Sequence, residues 1–293
     1  MAAFGKLITA MVTPFRADLS LDTATAARLA TKLADEGSEG IVVSGSTGES
    51  ATLSASEKLA LLEAVLEAVG DRVAVIAGTG TNSTAQTMEL TKAAEAAGAH
   101  GLLVVSPYYN RPPQEGLFRH FQAVAGSTSL PVMVYNVPGR TGQNMDAVTI
   151  LRLAQIPNIT AVKEASGNLD QVTDIIRGAP QGFQVYSGDD KLLLPLLALG
   201  AAGVVSVASH LVGLKLKALL ERFAAGDPPG ALSLHNALTP LFRALFITSN
   251  PIPLKHALKR TGFDCGGVRP PLVDVTQDEA AIIDRALAAA CLL

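Results

Sequence analysis

The first 225 residues alternate between short apolar segments and amphipathic segments, and the alternation occurs eight times. Each apolar segment has the length of a strand buried on both faces, and each is followed by a segment with helical periodicity. Such strands form parallel sheets, because the connecting helices cover both faces. Eight units of this kind predict an α/β protein with a (β/α)8 (TIM) barrel. The predicted strands are 7–12, 40–44, 73–77, 101–105, 132–136, 159–163, 184–187 and 203–207.

The amphipathic segments carry signals for the starts and ends of helices. Ser54 and Glu57 have the spacing of a capping box, directly before an apolar helical face. The predicted helices are 22–36, 56–69, 84–97, 114–125, 146–154, 169–177, 191–199 and 210–225. Glycines stand where five of these helices should end, and they are Gly37, Gly70, Gly98, Gly178 and Gly200.

An open, doubly wound sheet is the structural alternative to a barrel. It would normally carry a glycine-rich phosphate fingerprint after its first strand, and this chain has none there. The nearest match, Gly78-Thr79-Gly80, lacks the third glycine of that fingerprint. The barrel is therefore the preferred prediction.

The pattern changes at about residue 226. Pro228 and Pro229 are expected to break the chain, and helical segments follow at 231–247, 253–260 and 277–291 without a clear strand between them. We expect a catalytic barrel domain over 1–225 and a helical region over 226–293. This C-terminal extension would pack against the barrel and either close a site or form a contact between subunits.

Composition narrows the classes of partner and cofactor. A formal net charge of −3 without a long basic run makes nucleic acid an unexpected partner. The apolar run 7–12 is too short to cross a membrane, and no membrane partner is expected. Cys265 and Cys291 form no CxxC pair, which favours a reduced, cytoplasmic protein. The histidines lack metal-ligand spacing, so we expect no metal. No cofactor is expected either.

The polar residues of the chain concentrate directly after the predicted strands. In a TIM barrel the active site lies at the carboxyl ends of the strands. Three of the four tyrosines, Tyr108, Tyr109 and Tyr135, fall at that end. The other polar segments there are 45–50, 78–82, 106–112, 135–142 and 187–190. The sequence therefore predicts one site built from loops that are far apart along the chain.

Lys163 ends the sixth predicted strand, after an apolar run. Desolvation disfavours the ammonium form and lowers the pKa of such a lysine. An amine with a pKa of about 7–8 can add to a carbonyl and form a Schiff base. A nearby phenol could carry the protons that the addition and loss of water require. The alternative is a lysine that is simply solvated at a strand end.

Two further features suit a keto acid substrate. The segment 45–48 (Gly-Ser-Thr-Gly) offers backbone N–H donors and two hydroxyls to a carboxylate without placing a cation beside Lys163. Arg140 could bind a second carboxylate through its planar guanidinium. We interpret Asp189 and Asp190 as a helix N-cap rather than a metal site. Glu164 points to the opposite strand face from Lys163, which argues against a role as the base.

Over essentially the whole chain, these segments resemble the dihydrodipicolinate synthase / N-acetylneuraminate lyase group of class I pyruvate aldolases. The similarity lies in 45–50 (Gly-Ser-Thr-Gly-Glu-Ser), 107–112 (Pro-Tyr-Tyr-Asn-Arg-Pro), 135–138 (Tyr-Asn-Val-Pro), 162–164 (Val-Lys-Glu) and 187–190 (Ser-Gly-Asp-Asp). The resemblance implies that Lys163 forms the Schiff base with pyruvate and that Tyr135 is the central acid and base. Ser46 and Tyr109 would complete a proton relay.

The resemblance also implies the remaining site residues and the assembly. Thr47 would hold the pyruvate carboxylate, and Gly188 and Val205 would line the pocket beside Lys163. The relay tyrosine of the family crosses a subunit interface, so Tyr109 implies a homo-oligomer, commonly a tetramer built as a dimer of dimers.

Arg140 favours the synthase branch, which condenses pyruvate with aspartate semialdehyde in lysine and diaminopimelate biosynthesis. Two points leave alternatives open: the relay hydroxyl is usually a threonine, and Gly-Ser-Thr-Gly-Glu is common in the lyase branch. The alternatives are another pyruvate aldolase, acting on N-acetylneuraminate, a 2-keto-3-deoxy sugar acid or 4-hydroxy-2-oxoglutarate, and a barrel that binds a keto acid without catalysis. Because Lys58 and Gln86 replace residues of the family's lysine-sensitive members, we expect weak or absent inhibition by lysine.

Overall fold

The computed structural model describes residues 4–293 and contains a closed barrel of eight parallel strands. Each strand pairs with the next along the chain, and β8 pairs with β1 to close the barrel. The strands are β1 (Leu7–Ala10), β2 (Gly40–Val43), β3 (Ala74–Gly78), β4 (Gly101–Val105), β5 (Val132–Asn136), β6 (Ile159–Glu164), β7 (Gln184–Ser187) and β8 (Gly203–Ser206). The predicted TIM barrel is confirmed. Three strands match their predicted bounds, β3 is shifted by one residue, and the other four differ by one or two residues at their carboxyl end.

Helices follow the strands as predicted, with a short extra helix, α5, after β5. The helices around the barrel are α1 (Thr23–Asp35), α2 (Ala55–Val69), α3 (Thr84–Ala96), α4 (Gln114–Ala125), α5 (Pro138–Thr141), α6 (Ala147–Leu153), α7 (Leu169–Gly178), α8 (Leu193–Leu199) and α9 (Ser209–Ala224). The capping box of Ser54 and Glu57 is present at the start of α2.

Three of the five helix-ending glycines, Gly37, Gly98 and Gly200, have the positive φ of a helix stop. Gly70 is the C-cap of α2, as predicted, although its backbone keeps a right-handed helical conformation. Gly178 is the last residue of α7, and Ala179 is the C-cap there instead.

The C-terminal region consists of α10 (Pro228–Ala244), α11 (Ile252–Arg260) and α12 (Gln277–Ala289). Pro228 and Pro229 do not break the chain but open α10, where a backbone N–H has no helical partner to lose. Asp227 caps this helix by accepting from Gly230 N. Helix α10 packs on α9, and α12 packs on α10 and α11. The division into two domains at residue 226 stays a prediction.

The barrel interior is packed with side chains. Ile8, Val42, Ile76, Met133 and Tyr186 are buried in an inner cluster that is separate from the layer between strands and helices. A packed interior leaves only the ends of the barrel for a ligand. Within residues 4–293, no helix has the length and hydropathy to cross a membrane.

Candidate active site

A cavity of about 310 Å3 opens at the carboxyl ends of the strands. Its walls come from the loops after β2, β3, β4 and β5 and from the C-terminal region. Three of the predicted site residues, Ser46, Tyr135 and Arg140, line it. Glu49, Tyr108 and Asn250 also line the cavity.

Lys163 lies on β6 inside the barrel, with 5% of its surface exposed. It is paired in register with Tyr135 on β5, so both side chains face the barrel interior. The Lys163 Nζ atom lies 4.2 Å from the centre of the Tyr135 ring. Lys163 does not itself form part of the cavity wall; the ring of Tyr135 does, and the amine contacts that ring.

Gly188, after β7, leaves the space that the Lys163 side chain occupies. A Cβ atom at this position would lie 3.2 Å from Lys163 Cε and 2.8 Å from Ala165 Cβ. A side chain at position 188 would therefore displace Ala165 and crowd the end of the Lys163 side chain. Val205, on β8, is buried in the same inner cluster as Tyr135 and does not line the cavity.

The amine of Lys163 titrates near neutral pH. Burial lowers its pKa to about 7, with a smaller lowering from the Arg140 guanidinium, and the Asp190 carboxylate raises it in part. A large fraction of the amine is therefore uncharged at pH 7. Burial also raises the pKa of the Tyr135 phenol, while Arg140 and the Ser46 hydroxyl lower it.

Asp189 and Asp190 have different roles. Asp189 accepts from Lys191 N at 2.9 Å, as the predicted N-cap. Asp190 is buried, and its carboxylate accepts from Ser206 Oγ and from the amides of Val207 and Ala208. These bonds join the loop after β7 to the end of β8 and fix a negative charge near Lys163. The sequence did not indicate this role of Asp190, because its hydrogen-bond partners lie 16 to 18 residues later in the chain.

Glu164 points away from Lys163, as predicted. Its carboxylate accepts from Asn136 Nδ2 and Gln171 Nε2, on the side of the barrel where the helices pack. Both groups bind the carboxylate in a buried position and hold it away from the cavity.

The turn after β2 presents unpaired amides. Within residues 4–293, the N–H groups of Ser46, Thr47 and Gly48 donate no hydrogen bond. A Cβ atom at Gly48 would lie 3.1 Å from Met11 O and 3.2 Å from Ser44 N, so a side chain here would require this backbone to shift by a few tenths of an ångström. Successive free amides in a turn form a site for an anion such as a carboxylate.

Asn250 connects this turn to Arg140. Its Nδ2 atom donates to Thr47 Oγ1 at 2.8 Å, and its backbone oxygen accepts from Arg140 Nη2 at 3.0 Å. Arg140 itself is placed by α5, the short helix that follows β5. Sequence reasoning missed Asn250, because nothing local to 249–251 signals contact with a loop two hundred residues earlier.

Tyr109, the predicted relay residue, does not line the cavity of the single chain. It is 89% exposed, has a φ of +72°, and its neighbour Tyr108 lines the cavity instead. Lys58, one of the two residues considered for lysine sensitivity, lines a smaller cavity that shares Ser44 and Gly78 with the main one.

The state of the Lys163 amine can be measured by competitive labelling with a small acylating reagent. Because its pKa is lowered to about 7, labelling should rise through pH 7 and level off above it. Asp190→Asn removes a negative charge that raises this pKa, so the midpoint should move to lower pH. A midpoint above about pH 9, close to that of a solvated lysine, would contradict the buried environment.

Comparison with known proteins places the chain in a family. Residues 3–290 match the model of the Dihydrodipicolinate synthetase family. A 4-hydroxy-tetrahydrodipicolinate synthase of Moorella thermoacetica is 59% identical over 284 residues, which is 97% of either chain. The DHDPS of Cyanidioschyzon merolae, solved with lysine bound, superimposes with a TM-score of 0.99 at 48% identity, with all of both chains covered. A monomeric dihydrodipicolinate synthase variant superimposes at 0.96 with 38% identity, covering 99% of this chain and 98% of that one. The chain therefore belongs to the dihydrodipicolinate synthetase family.

Proposed function

We propose that the chain condenses pyruvate with aspartate semialdehyde to 4-hydroxy-tetrahydrodipicolinate, the reaction for which its curated relatives are named. The observation that carries the proposal is the buried Lys163 amine, with a pKa of about 7, in contact with the ring of Tyr135. The chain's own residues can supply each step of a Schiff-base mechanism without a cofactor.

The first half of the reaction takes place at Lys163. The neutral amine adds to the C2 carbonyl of pyruvate, and the resulting carbinolamine loses its hydroxyl as water after Tyr135 donates a proton. The protonated imine then draws electrons from the adjacent methyl carbon. Loss of a proton from that carbon gives an enamine, and the phenolate of Tyr135 is the nearest base to receive it.

In the second half the enamine carbon attacks the aldehyde. A carbon–carbon bond forms, and the aldehyde oxygen takes a proton and becomes a hydroxyl. The amino group of the semialdehyde then adds to the iminium carbon and passes a proton to Lys163 Nζ. The bond from that carbon to Nζ breaks, which leaves a cyclic imine and releases Lys163 as the neutral amine.

Two elements would hold the two carboxylates. The free amides of 46–48 and the Thr47 hydroxyl suit the carboxylate of pyruvate, and Arg140 suits that of the semialdehyde. Gly188 and Val205 maintain the pocket around the lysine.

The activity assay separates the proposed second substrate from those of other pyruvate aldolases. With pyruvate held constant, aspartate semialdehyde should be the preferred aldehyde. Arg140→Ala removes a charged hydrogen bond worth about 1.5–3 kcal/mol, so kcat/KM for the semialdehyde should fall by about tenfold to a hundredfold. Arg152→Ala, on α6 and salt-bridged to Glu115, is the matched control and should leave it unchanged. Full activity of Arg140→Ala would favour a different aldehyde substrate.

We also propose that the active form is a homo-oligomer, a tetramer arranged as a dimer of dimers, and that it is cytoplasmic. Tyr109 supports the homo-oligomer. It is nearly fully exposed in a strained loop, so its side chain is suited to insert into a neighbouring subunit and join the relay of Ser46 and Tyr135 there. The two free cysteines support a reducing compartment.

Complementation tests the exchange of Tyr109 between subunits. Tyr109→Phe should lower kcat, and Lys163→Ala should abolish activity. Co-expressed, the two variants form mixed dimers in which one site has both Lys163 and a partner's Tyr109, so part of the activity should return. Sedimentation of the wild-type protein should give the mass of four chains. No recovery from mixed dimers, or full activity of a monomer, would contradict the proposal.

A further inference from the structure

A buried ion pair connects the C-terminal region to the turn after β2. Lys255 Nζ, on α11, lies 2.7 Å from Glu49 Oε1, and the two side chains are only 4% and 1% exposed. The second carboxylate oxygen, Glu49 Oε2, accepts from the backbone N–H of Arg269 at 2.9 Å. Lys255 also donates to Gly267 O at 2.6 Å. Both charged groups are therefore held by two partners.

Glu49 has a backbone conformation that its side chain does not favour. Its φ is +54° and its ψ is 37°, in the left-handed region, which costs a residue with a Cβ atom about 1 kcal/mol. Its N–H donates to Ser46 O at 3.1 Å and so closes the turn whose amides 46–48 are unpaired. The conformation of Glu49 thus determines where those amides point.

The surroundings of the pair hold it in place. The ring of Phe15 contacts two cations: Lys255 Nζ and Arg269 Cζ each lie 4.3 Å from its centre. Arg269 also binds the Glu57 carboxylate and the Thr52 carbonyl, at the start of α2. The segment 265–269 and α11 therefore fix both ends of the loop between β2 and α2.

A buried ion pair is weak evidence for a role in stability, because desolvation of both charges offsets their attraction. Its location is more informative. Glu49 ends the turn that carries the free N–H groups, and its carboxylate joins that turn to the C-terminal region. Neither Glu49 nor Lys255 takes part in the steps proposed for Lys163.

We propose that Glu49 and Lys255 are positioning residues: their ion pair holds the turn 45–49 in the geometry that binds the keto acid carboxylate. This inference rests on the proposed function, since it assigns the turn to pyruvate. The C-terminal region would then be part of the substrate site rather than a separate appendage.

The test is a double-mutant cycle on pyruvate binding, with Glu49→Ala, Lys255→Met and the double variant. Each single variant should raise KM for pyruvate by about tenfold, while kcat at saturating pyruvate and KM for aspartate semialdehyde change by less than about threefold. The double variant should resemble one single variant, because both changes remove the same contact. Glu49→Gln keeps the length and can still accept from Arg269 N, so its KM should lie between those of the wild type and Glu49→Ala.

Val69→Ala controls for lost stability. Val69 is fully buried at the far end of α2, and its truncation should lower the melting temperature while KM for pyruvate stays unchanged. All variants are compared below their melting temperatures. If the Glu49 and Lys255 variants are folded and keep KM for pyruvate within about twofold of the wild type, the positioning role is wrong. Effects that multiply in the double variant would also overturn it. If instead the wild type fails to be labelled by pyruvate and borohydride, the proposed function itself has failed.

Discussion

The burial of the Lys163 amine is the constraint on which the rest of the site depends. Lys163 has its stem in a closed barrel and its Nζ atom against an aromatic ring, and this burial makes the neutral amine accessible near pH 7. Three neighbouring residues set the surroundings of the amine. Gly188 leaves room for the Lys163 side chain. The negative charge of Asp190 raises the pKa of the amine in part, and the Arg140 guanidinium lowers it further.

The barrel alone does not complete the site, because the C-terminal region also contributes residues. Parallel strands bring the carboxyl ends of β2, β5, β6 and β7 to one end of the molecule, and this supplies the nucleophile, the phenol and the turn of free amides. The C-terminal region adds Asn250, which contacts both Thr47 and Arg140, and Lys255, which pairs with Glu49. The elements proposed to bind the two carboxylates are thus held by one segment of the chain.

The strands and most helices could be predicted because their signals are local. Apolar runs, the capping box at Ser54 and glycines such as Gly98 act within one or two turns of the chain. Lys163 and Tyr135 could be placed together because strand order determines which loops meet. The functions of Asp190, Asn250 and Lys255 could not be predicted, since their partners are brought near only by folding. Glu49 and Lys255 are two hundred residues apart, and no periodic pattern links them. The role of Tyr109 depends on a second subunit, which one chain does not contain.

Reductive trapping is the most direct test of whether Lys163 forms a Schiff base with pyruvate. The protein is incubated with pyruvate, treated with borohydride and digested, and the peptides are weighed by mass spectrometry. We expect one peptide to gain the mass of a reduced pyruvate imine, fragmentation to place that mass on Lys163, and Lys163→Ala to abolish it. A folded protein that gains no mass, or that carries the label on a different lysine, would contradict the Schiff-base mechanism.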